Sequence, residues 1–196
     1  SIEAETGKAM LACRALLGSV SPERVLTELR GFLSAPKPGG LAETFAPVLA
    51  EVLPGLSETS VREAAPKLDA SPADFALRMA LLCRAMEAVE AEALAEALRF
   101  DSRTKRRFLG FGEALKMPLP RSRGELLPPV RLLGWEDAAL LAALPGGEDF
   151  AGLLAEAKAE GLPLRAGELA LGGTALLAEG AGAGVGVGVV RAVRCA

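Results

Sequence analysis

The apolar residues of this 196-residue chain are mostly Ala and Leu, whereas aromatic residues make up only 4% of the sequence and Tyr is missing. Ala and Leu are among the best helix formers, and strands prefer β-branched and aromatic residues. Hydrophobic residues make up 51% of the chain, which is enough to bury a core at this length. The sequence therefore predicts an all-α protein.

Local signals place the helices along the chain. Ser21-Pro22-Glu23 predicts a helix start, with Ser as N-cap and Pro in the first turn, and Ser71-Pro72-Ala73-Asp74 repeats this signal. Residues after the second signal are apolar on most sides, which predicts a helix at the centre of a bundle. A basic helix is expected over Ser102–Leu115. The other predicted elements are helices over 3–17, 41–53 with a break near Pro47, 87–98, 135–144, 148–160 and 185–195, and a proline-punctuated loop over 118–129.

Composition excludes several kinds of catalytic chemistry. The sequence has no His, which rules out His-dependent triads, His general bases and His metal ligands in this chain. Its three Cys form no CxxC pair and its Asp residues form no DxD pair. We therefore expect no catalytic residue, no metal site and no cofactor in this chain. Sparse Cys fits a reduced, cytoplasmic protein, and the longest uncharged stretch, Gly180–Val190, is too short to span a membrane.

Charge is unevenly distributed along the chain. The net charge is −3, but nine basic and three acidic residues between Arg99 and Arg131 give that block a charge of +6. Such a block indicates either a footprint for nucleic-acid phosphates or an ordinary solvated face. Two other charged groups have local interpretations. Glu136-Asp137 is interpreted as an acidic pair at a helix start, and the charges of residues 23–30 as an ion-pair lattice within one helix.

The N-terminal part of the sequence resembles a known family. Ser1–Met10, followed by Ser21-Pro22-Glu23-Arg24-Val25 and the residues up to Leu29, resembles the neck of bacterial-type (class II) tRNA nucleotidyltransferases. This family contains the CCA-adding enzymes and the poly(A) polymerases. The E-R-x-x-x-E signature of its neck is matched by Glu23, Arg24 and Glu28. Val48–Leu56 resembles the segment that follows this signature in the family.

Later segments extend the resemblance over most of the chain. The residues that begin at Arg78 resemble a buried helix of the family's body, and Leu98–Arg106 resembles the start of an RNA-facing helix. Leu162–Leu177 resembles the family's tail, which continues with a glycine motif formed by Gly180, Gly184 and Gly188. By itself the run Gly182-Ala-Gly184-Val-Gly186 indicates close helix packing or a single phosphate contact, of which packing is favoured.

The resemblance implies an elongated helical array with a neck (1–58), a body (59–150) and a tail (151–196). The chain would be the C-terminal portion of such an enzyme, and the catalytic head of the same polypeptide, with Mg²⁺ and CTP or ATP, would lie outside it. The neck would support the nucleotide pocket, while body and tail would grip the acceptor and T-arm of tRNA. The implied phosphate contacts are Arg99, Arg103, Lys105, Arg106, Arg107, Lys116, Arg121 and Arg123.

Two functional hypotheses stay open from the sequence. The chain is either the tRNA-binding region of a nucleotidyltransferase, inactive alone, or a helical protein-interaction scaffold derived from that family without RNA binding. Salt-dependent tRNA binding distinguishes them, because phosphate contacts release counterions. The resemblance does not separate CCA addition from A-addition or poly(A) synthesis, since the deciding residues lie in the head and upper neck. A complete enzyme of another kind is disfavoured by the missing His and the lack of converging carboxylates.

Overall fold

The computed structural model describes residues 4–162, and every regular element in that range is a helix. The all-α prediction is thereby confirmed. The elements are α1 (Ala4–Ala12), a 3₁₀ helix (Arg14–Ser19), α2 (Pro22–Leu33), α3 (Gly39–Thr44), α4 (Ala46–Val52), α5 (Glu58–Asp69), α6 (Phe75–Leu82), α7 (Ala88–Ala97), α8 (Ser102–Ala114), a second 3₁₀ helix (Arg123–Glu125), α9 (Leu127–Ala142) and α10 (Glu148–Ala159).

The chain divides into two compact units, Ser1–Glu160 and Gly161–Ala196. All ten α-helices given above belong to the first unit. The predicted division into neck, body and tail stays a prediction. The predicted last helix over 185–195 and the glycine motif of Gly180, Gly184 and Gly188 lie outside the described residues.

The centre of the first unit is α6, as the sequence predicted. Every residue from Ala76 to Leu82 is buried, and the helix packs against α2, α5 and α8. Phe108 and Phe111 bring the apolar side of α8 into the same core. Because a fully buried helix touches neighbours on all sides, α6 fixes the position of the basic helix α8.

The central helix carries one charged side chain, Arg78, which is only 1% exposed. Its Nη1 donates to the carbonyls of Leu33 and Ala35, each at 2.6 Å. Its Nε donates to the hydroxyl of Ser71 at 3.2 Å, and its Nη2 to the carbonyl of the same residue at 2.9 Å. Burial lowers the pKa of this guanidinium, and nearby carboxylates oppose that shift. The side chain therefore joins the C-terminal end of α2 to the turn before α6.

These contacts correct the predicted start of the central helix. The helix begins at Phe75, and its N-cap is Asp74, whose Oδ1 accepts the backbone N–H of Leu77 at 3.0 Å. Ser71, predicted as the cap, instead donates to the carbonyl of Leu68 and accepts from Arg78. The local signal located the helix but not its cap, because the Ser hydroxyl is engaged by a side chain of the following helix.

The proline-rich segment also differs from its predicted loop. α9 begins at Leu127, so Pro128 and Pro129 lie in its first turn, where backbone N–H groups have no intrahelical partner and proline is tolerated. The helix is interrupted at Gly134, whose φ of 80° is readily adopted by glycine. The predicted helix over 135–144 is therefore the second half of a longer, kinked element.

The structure differs from the sequence prediction at two further helices. The N-terminal helix ends at Ala12 and is followed by a 3₁₀ helix, rather than continuing to Leu17. The helix α5 was not predicted. Within α5, Pro66 lies in the last turn, and its missing N–H leaves the carbonyl of Arg62, four residues earlier, without its intrahelical partner.

Helices α3 and α5 approach each other closely at Gly39. The backbone N–H of Gly39 donates to Asp69 Oδ1 at 2.6 Å. A Cβ at this position would overlap the carbonyl oxygen of Ala65. The contact therefore requires glycine, which lets the two backbones come together.

The N-cap of α8 gives a stability prediction with a defined pH dependence. Asp101 Oδ1 accepts the Thr104 N–H at 2.9 Å, and Oδ2 accepts the Thr104 hydroxyl at 2.6 Å and Arg30 Nη2 at 3.2 Å. These bonds, those from Thr104 first, lower the pKa of Asp101. We expect Asp101→Ala to reduce the free energy of unfolding by about 1 kcal/mol at neutral pH, measured by urea denaturation.

The difference in the free energy of unfolding between Asp101→Ala and the parent protein should become smaller at acidic pH. A carboxyl group whose pKa is lowered in the folded state stabilises the protein above its unfolded pKa of about 3.9 and loses that effect as pH falls through the folded pKa. The gap between Asp101→Ala and the parent protein should therefore narrow below about pH 4. Asp101→Asn, which keeps one acceptor, serves as the control and should retain most of the cap. A gap of the same size at every pH would contradict this account.

Candidate nucleic-acid interface

The eight predicted phosphate contacts all lie in the described part of the chain, on α8 and beside it. Four of them belong to α8 itself, namely Arg103, Lys105, Arg106 and Arg107. Arg99 precedes this helix and Lys116 follows it, while Arg121 and Arg123 lie before α9. Their geometry separates the cations that point to solvent from those that are already engaged within the protein.

The most strongly engaged cation is Arg107. Its Nε donates to both oxygens of Asp137 at 3.0 and 2.9 Å, and its Nη2 donates to Asp137 Oδ1 at 2.6 Å and to Asp74 Oδ2 at 2.9 Å. Its side chain is 23% exposed. The hydrogen bonds to Asp137, followed by those to Asp74, raise the pKa of Arg107 against the effect of burial. This guanidinium joins α8 and α9 to the N-cap of α6 and is poorly placed to bind RNA.

The partner carboxylate Asp137 was interpreted only as a helix-start residue. It does follow the interruption at Gly134, in the first turn of the second half of α9. Its contact with Arg107, 30 residues earlier, was not predicted. No local sequence signal identifies this pair, because the fold alone brings the two helices together.

A second cation of α8, Lys105, is held by the acidic helix α7. Its Nζ lies 2.9 Å from Glu92 Oε1 and 2.9 Å from Glu96 Oε1. These hydrogen bonds, led by the one to Glu92, raise the pKa of Lys105. The two glutamates are spaced four residues apart, so they lie on one face of α7. That acidic face next to a basic helix was the sequence signal that could have indicated this pairing.

Three flanking cations also face carboxylates of the protein. Arg99 Nη1 lies 2.7 Å from Glu23 Oε1, which connects the start of α2 to the turn that follows α7. Arg123 forms an ion pair with Glu160. Lys116 Nζ lies 3.9 Å from Glu87 Oε2, a loose contact at the limit of an ion pair.

The remaining three of the eight predicted contacts extend into solvent. Their side chains are exposed and form no ion pair within residues 4–162; these residues are Arg103, Arg106 and Arg121. Arg121 uses its backbone N–H to bind Glu125 Oε2 at 2.8 Å. Arg103 and Arg106 are three residues apart on α8 and therefore lie on one face. We call these two residues the exposed arginine pair.

Two charged residues of α2 form ion pairs with other parts of the fold rather than within the helix. Glu23 binds Arg99, and Arg30 binds Asp101 and Thr104 while lying 4.8 Å from the ring centroid of Phe75. The interpretation of residues 23–30 as an ion-pair lattice within one helix was therefore wrong for these two residues. Arg24 and Glu28 are exposed on the same helix. The pairs across helices hold α2 against the N-terminal end of α8.

Residues 4–162 contain neither a cluster of metal ligands nor a membrane-spanning helix. Over 4–162 no group of three or more His, Cys, Asp or Glu side chains is placed to hold a metal ion. The carboxylates of Asp74 and Asp137 converge, but they converge on the guanidinium of Arg107. In that part of the chain, no helix is both long enough and apolar enough to cross a bilayer.

Comparison with known proteins gives one match. Residues 1–57 match the family model described as "Probable RNA and SrmB- binding site of polymerase A". Neither a curated protein nor a solved structure matches the chain. The matched segment contains α1 to α4 and the Glu23, Arg24 and Glu28 signature. The match supports a relationship of this segment to poly(A) polymerases and a role in RNA binding.

Proposed function

We propose that this chain is the RNA-gripping C-terminal region of a nucleotidyltransferase of the CCA-adding enzyme and poly(A) polymerase type, with tRNA as its partner. The observation that carries the proposal is the match of residues 1–57 to an RNA-binding region of polymerase A. The catalytic head of the same polypeptide would bind Mg²⁺ and CTP or ATP and perform nucleotidyl transfer in the cytoplasm. This chain would bind RNA without catalysing a reaction alone.

The exposed arginine pair supplies the chemistry that the proposal needs. A guanidinium binds phosphate oxygens through planar, paired donors, and duplex RNA is recognised mainly through phosphates and ribose hydroxyls. Arg103 and Arg106 are presented on a helix whose other cations, Lys105 and Arg107, are fixed to α7, to α9 and to the N-cap of α6. The ion pairs of Lys105 and Arg107 would fix the position of α8, and with it the backbone that carries the exposed arginine pair. We therefore assign Arg103 and Arg106 as central phosphate contacts and Arg121, in the segment before α9, as a further one.

The test is tRNA binding by the variant Arg103→Glu/Arg106→Glu, followed by fluorescence anisotropy over a range of salt concentrations. The tRNA lacks its CCA end. We expect the parent protein to bind in a salt-dependent manner and the variant to bind at least about tenfold more weakly. The slope of log K against log salt should fall by about one for each phosphate that the variant no longer neutralises. Thermal unfolding should change little, because both side chains are exposed.

The matched control is Arg62→Glu/Lys158→Glu, which changes the net charge by the same amount at two exposed positions of α5 and α10. It should bind tRNA nearly as the parent protein does. Equal losses in both double variants would assign the effect to net charge and contradict the assignment of the arginine pair. Absence of tRNA binding by the parent protein at low salt would reject the RNA-binding proposal in favour of the scaffold hypothesis.

A further inference from the structure

A groove on the first unit adjoins the C-terminal end of α8, whereas the exposed arginine pair lies nearer the N-terminal end of that helix. It has a volume of about 520 Å³ and is bordered by α5, α6, α9 and the residues that follow α8. Leu81, Ala114 and Leu141 are buried at its base, while Met117, Leu119 and Leu144 are more accessible beside them. The volume is in the range of ligand-binding clefts, and apolar side chains dominate the lining. We call this feature the four-helix groove.

The polar lining of the four-helix groove has one sign of charge. Only Lys67 and Arg84 among its lining residues are charged, and no carboxylate contributes to it. Arg84 Nη2 donates to the carbonyl of Leu115 at 3.2 Å, which places the guanidinium beside the apolar surface. Within residues 4–162, Lys67 and Arg84 form no ion pair, in contrast to Lys105 and Arg107. The groove therefore offers apolar surface together with two cations that lack a carboxylate partner.

We propose that the four-helix groove binds an amphipathic helix of a partner protein. The apolar face of that helix would enter the groove, and acidic side chains beside the face would meet Lys67 and Arg84. A groove between packed helices takes such a segment through apolar residues spaced three and four apart. We expect acidic residues beside the apolar face of the partner helix, because the groove presents two cations and no anion.

This site is separate from the exposed arginine pair. Arg106 and Leu115 lie nine residues apart along α8 and the residue that caps it, a separation of roughly 13 Å. The exposed arginine pair is nearer to the N-terminal end of that helix, and the groove adjoins its C-terminal end. The protein is therefore expected to bind RNA and the helical partner at the same time. The proposal for the groove does not depend on RNA binding.

The probe for the experiment is a fluorescein-labelled helical peptide of about 15 residues, with Leu on one face and Glu on its flanks. A second peptide has Lys in place of each Glu. Binding of both to the full chain is measured by anisotropy at low salt. We expect the acidic peptide to bind in the micromolar range and the basic peptide to bind at least about tenfold more weakly. Added tRNA should not displace the acidic peptide.

Substitutions in the groove separate the apolar and electrostatic parts. Lys67→Glu should weaken the acidic peptide about tenfold and strengthen the basic one, whereas Lys158→Glu, the same change on α10, should alter neither. Met117→Asp, at a side chain that is already 37% exposed, should remove peptide binding without unfolding the protein. Circular dichroism would confirm that each variant remains folded.

Three results would overturn the proposal. The first is equal binding of the acidic and basic peptides to the parent protein. The second is peptide binding that survives both Lys67→Glu and Met117→Asp. The third is binding of anilinonaphthalene sulfonate in the groove, sensitive to Met117→Asp, without binding of either peptide, which would assign the groove to a small anionic ligand.

Discussion

Arg78→Ala should lower the free energy of unfolding by about 3–5 kcal/mol, the largest effect of a single substitution that we expect in this protein. The guanidinium donates to the carbonyls of Leu33, Ala35 and Ser71 and to the Ser71 hydroxyl. After truncation the carbonyls of Leu33 and Ser71 stay buried without this donor, and a cavity forms beside α6. Urea or thermal unfolding followed by circular dichroism would measure the change.

Two other substitutions define the cause of this effect. Arg78→Lys keeps the charge, but its single ammonium group cannot bind the carbonyls of α2 and the Ser71 groups at the same time, as the planar guanidinium does. This variant should therefore also destabilise the protein, by about 2 kcal/mol or more. Arg62→Ala, which removes an exposed pair with Glu58 within α5, should cost no more than about 0.5 kcal/mol. If Arg78→Ala were as mild as Arg62→Ala, the network that joins α2 to the turn before α6 would not contribute to stability.

Arg107→Ala should cost about 2–3 kcal/mol, because it leaves Asp74 and Asp137 facing each other without a cation. This loss is smaller than for a fully buried pair, since the Arg107 side chain is 23% exposed and that of Asp137 is 15% exposed. A double-mutant cycle with Asp137→Ala should give a coupling energy of about 1–2 kcal/mol. Urea denaturation at low and high salt would measure it, and the coupling should persist at high salt because the pair is shielded from solvent.

The exposed pair of Glu58 and Arg62 is the control for this cycle. The coupling between these residues of α5 should be a few tenths of a kcal/mol and should disappear at high salt. The same Arg107→Ala variant also tests its role in RNA binding. At a temperature where it remains folded, it should bind tRNA nearly as the parent protein does. A loss as large as that of Arg103→Glu/Arg106→Glu would show that Arg107 contacts RNA directly.

The predictions that were confirmed depend on short-range features of the sequence. The start of α2 at Pro22 follows from proline in a first turn, and the buried course of α6 and the position of α8 follow from apolar patterning. The first half of α9 was missed for a related reason. Pro128-Pro129 was interpreted as a loop signal, but the same residues are compatible with a first turn. Local chemistry allowed both structures, and packing selected one.

The candidate site was predictable as a charged region but not residue by residue. The excess of positive charge between Arg99 and Arg131 is visible from the sequence alone. The internal partners of that charge come from distant positions: Asp74 and Asp137 are 33 and 30 residues from Arg107. Only the fold decides which cations are engaged and which remain exposed. The sequence therefore could not distinguish the exposed arginine pair from the other cations of the block.

The close approach of α3 to α5 bears on where an autonomous module could begin and end. The similarity to a polymerase A segment stops at residue 57, just before α5 starts, yet Gly39 has its backbone against Ala65 and Asp69 on the far side of that boundary. A polypeptide cut at residue 57 would expose the face of α3 that this contact covers. The family match therefore ends at residue 57, but the packing of the matched segment depends on residues of α5 that the match does not include.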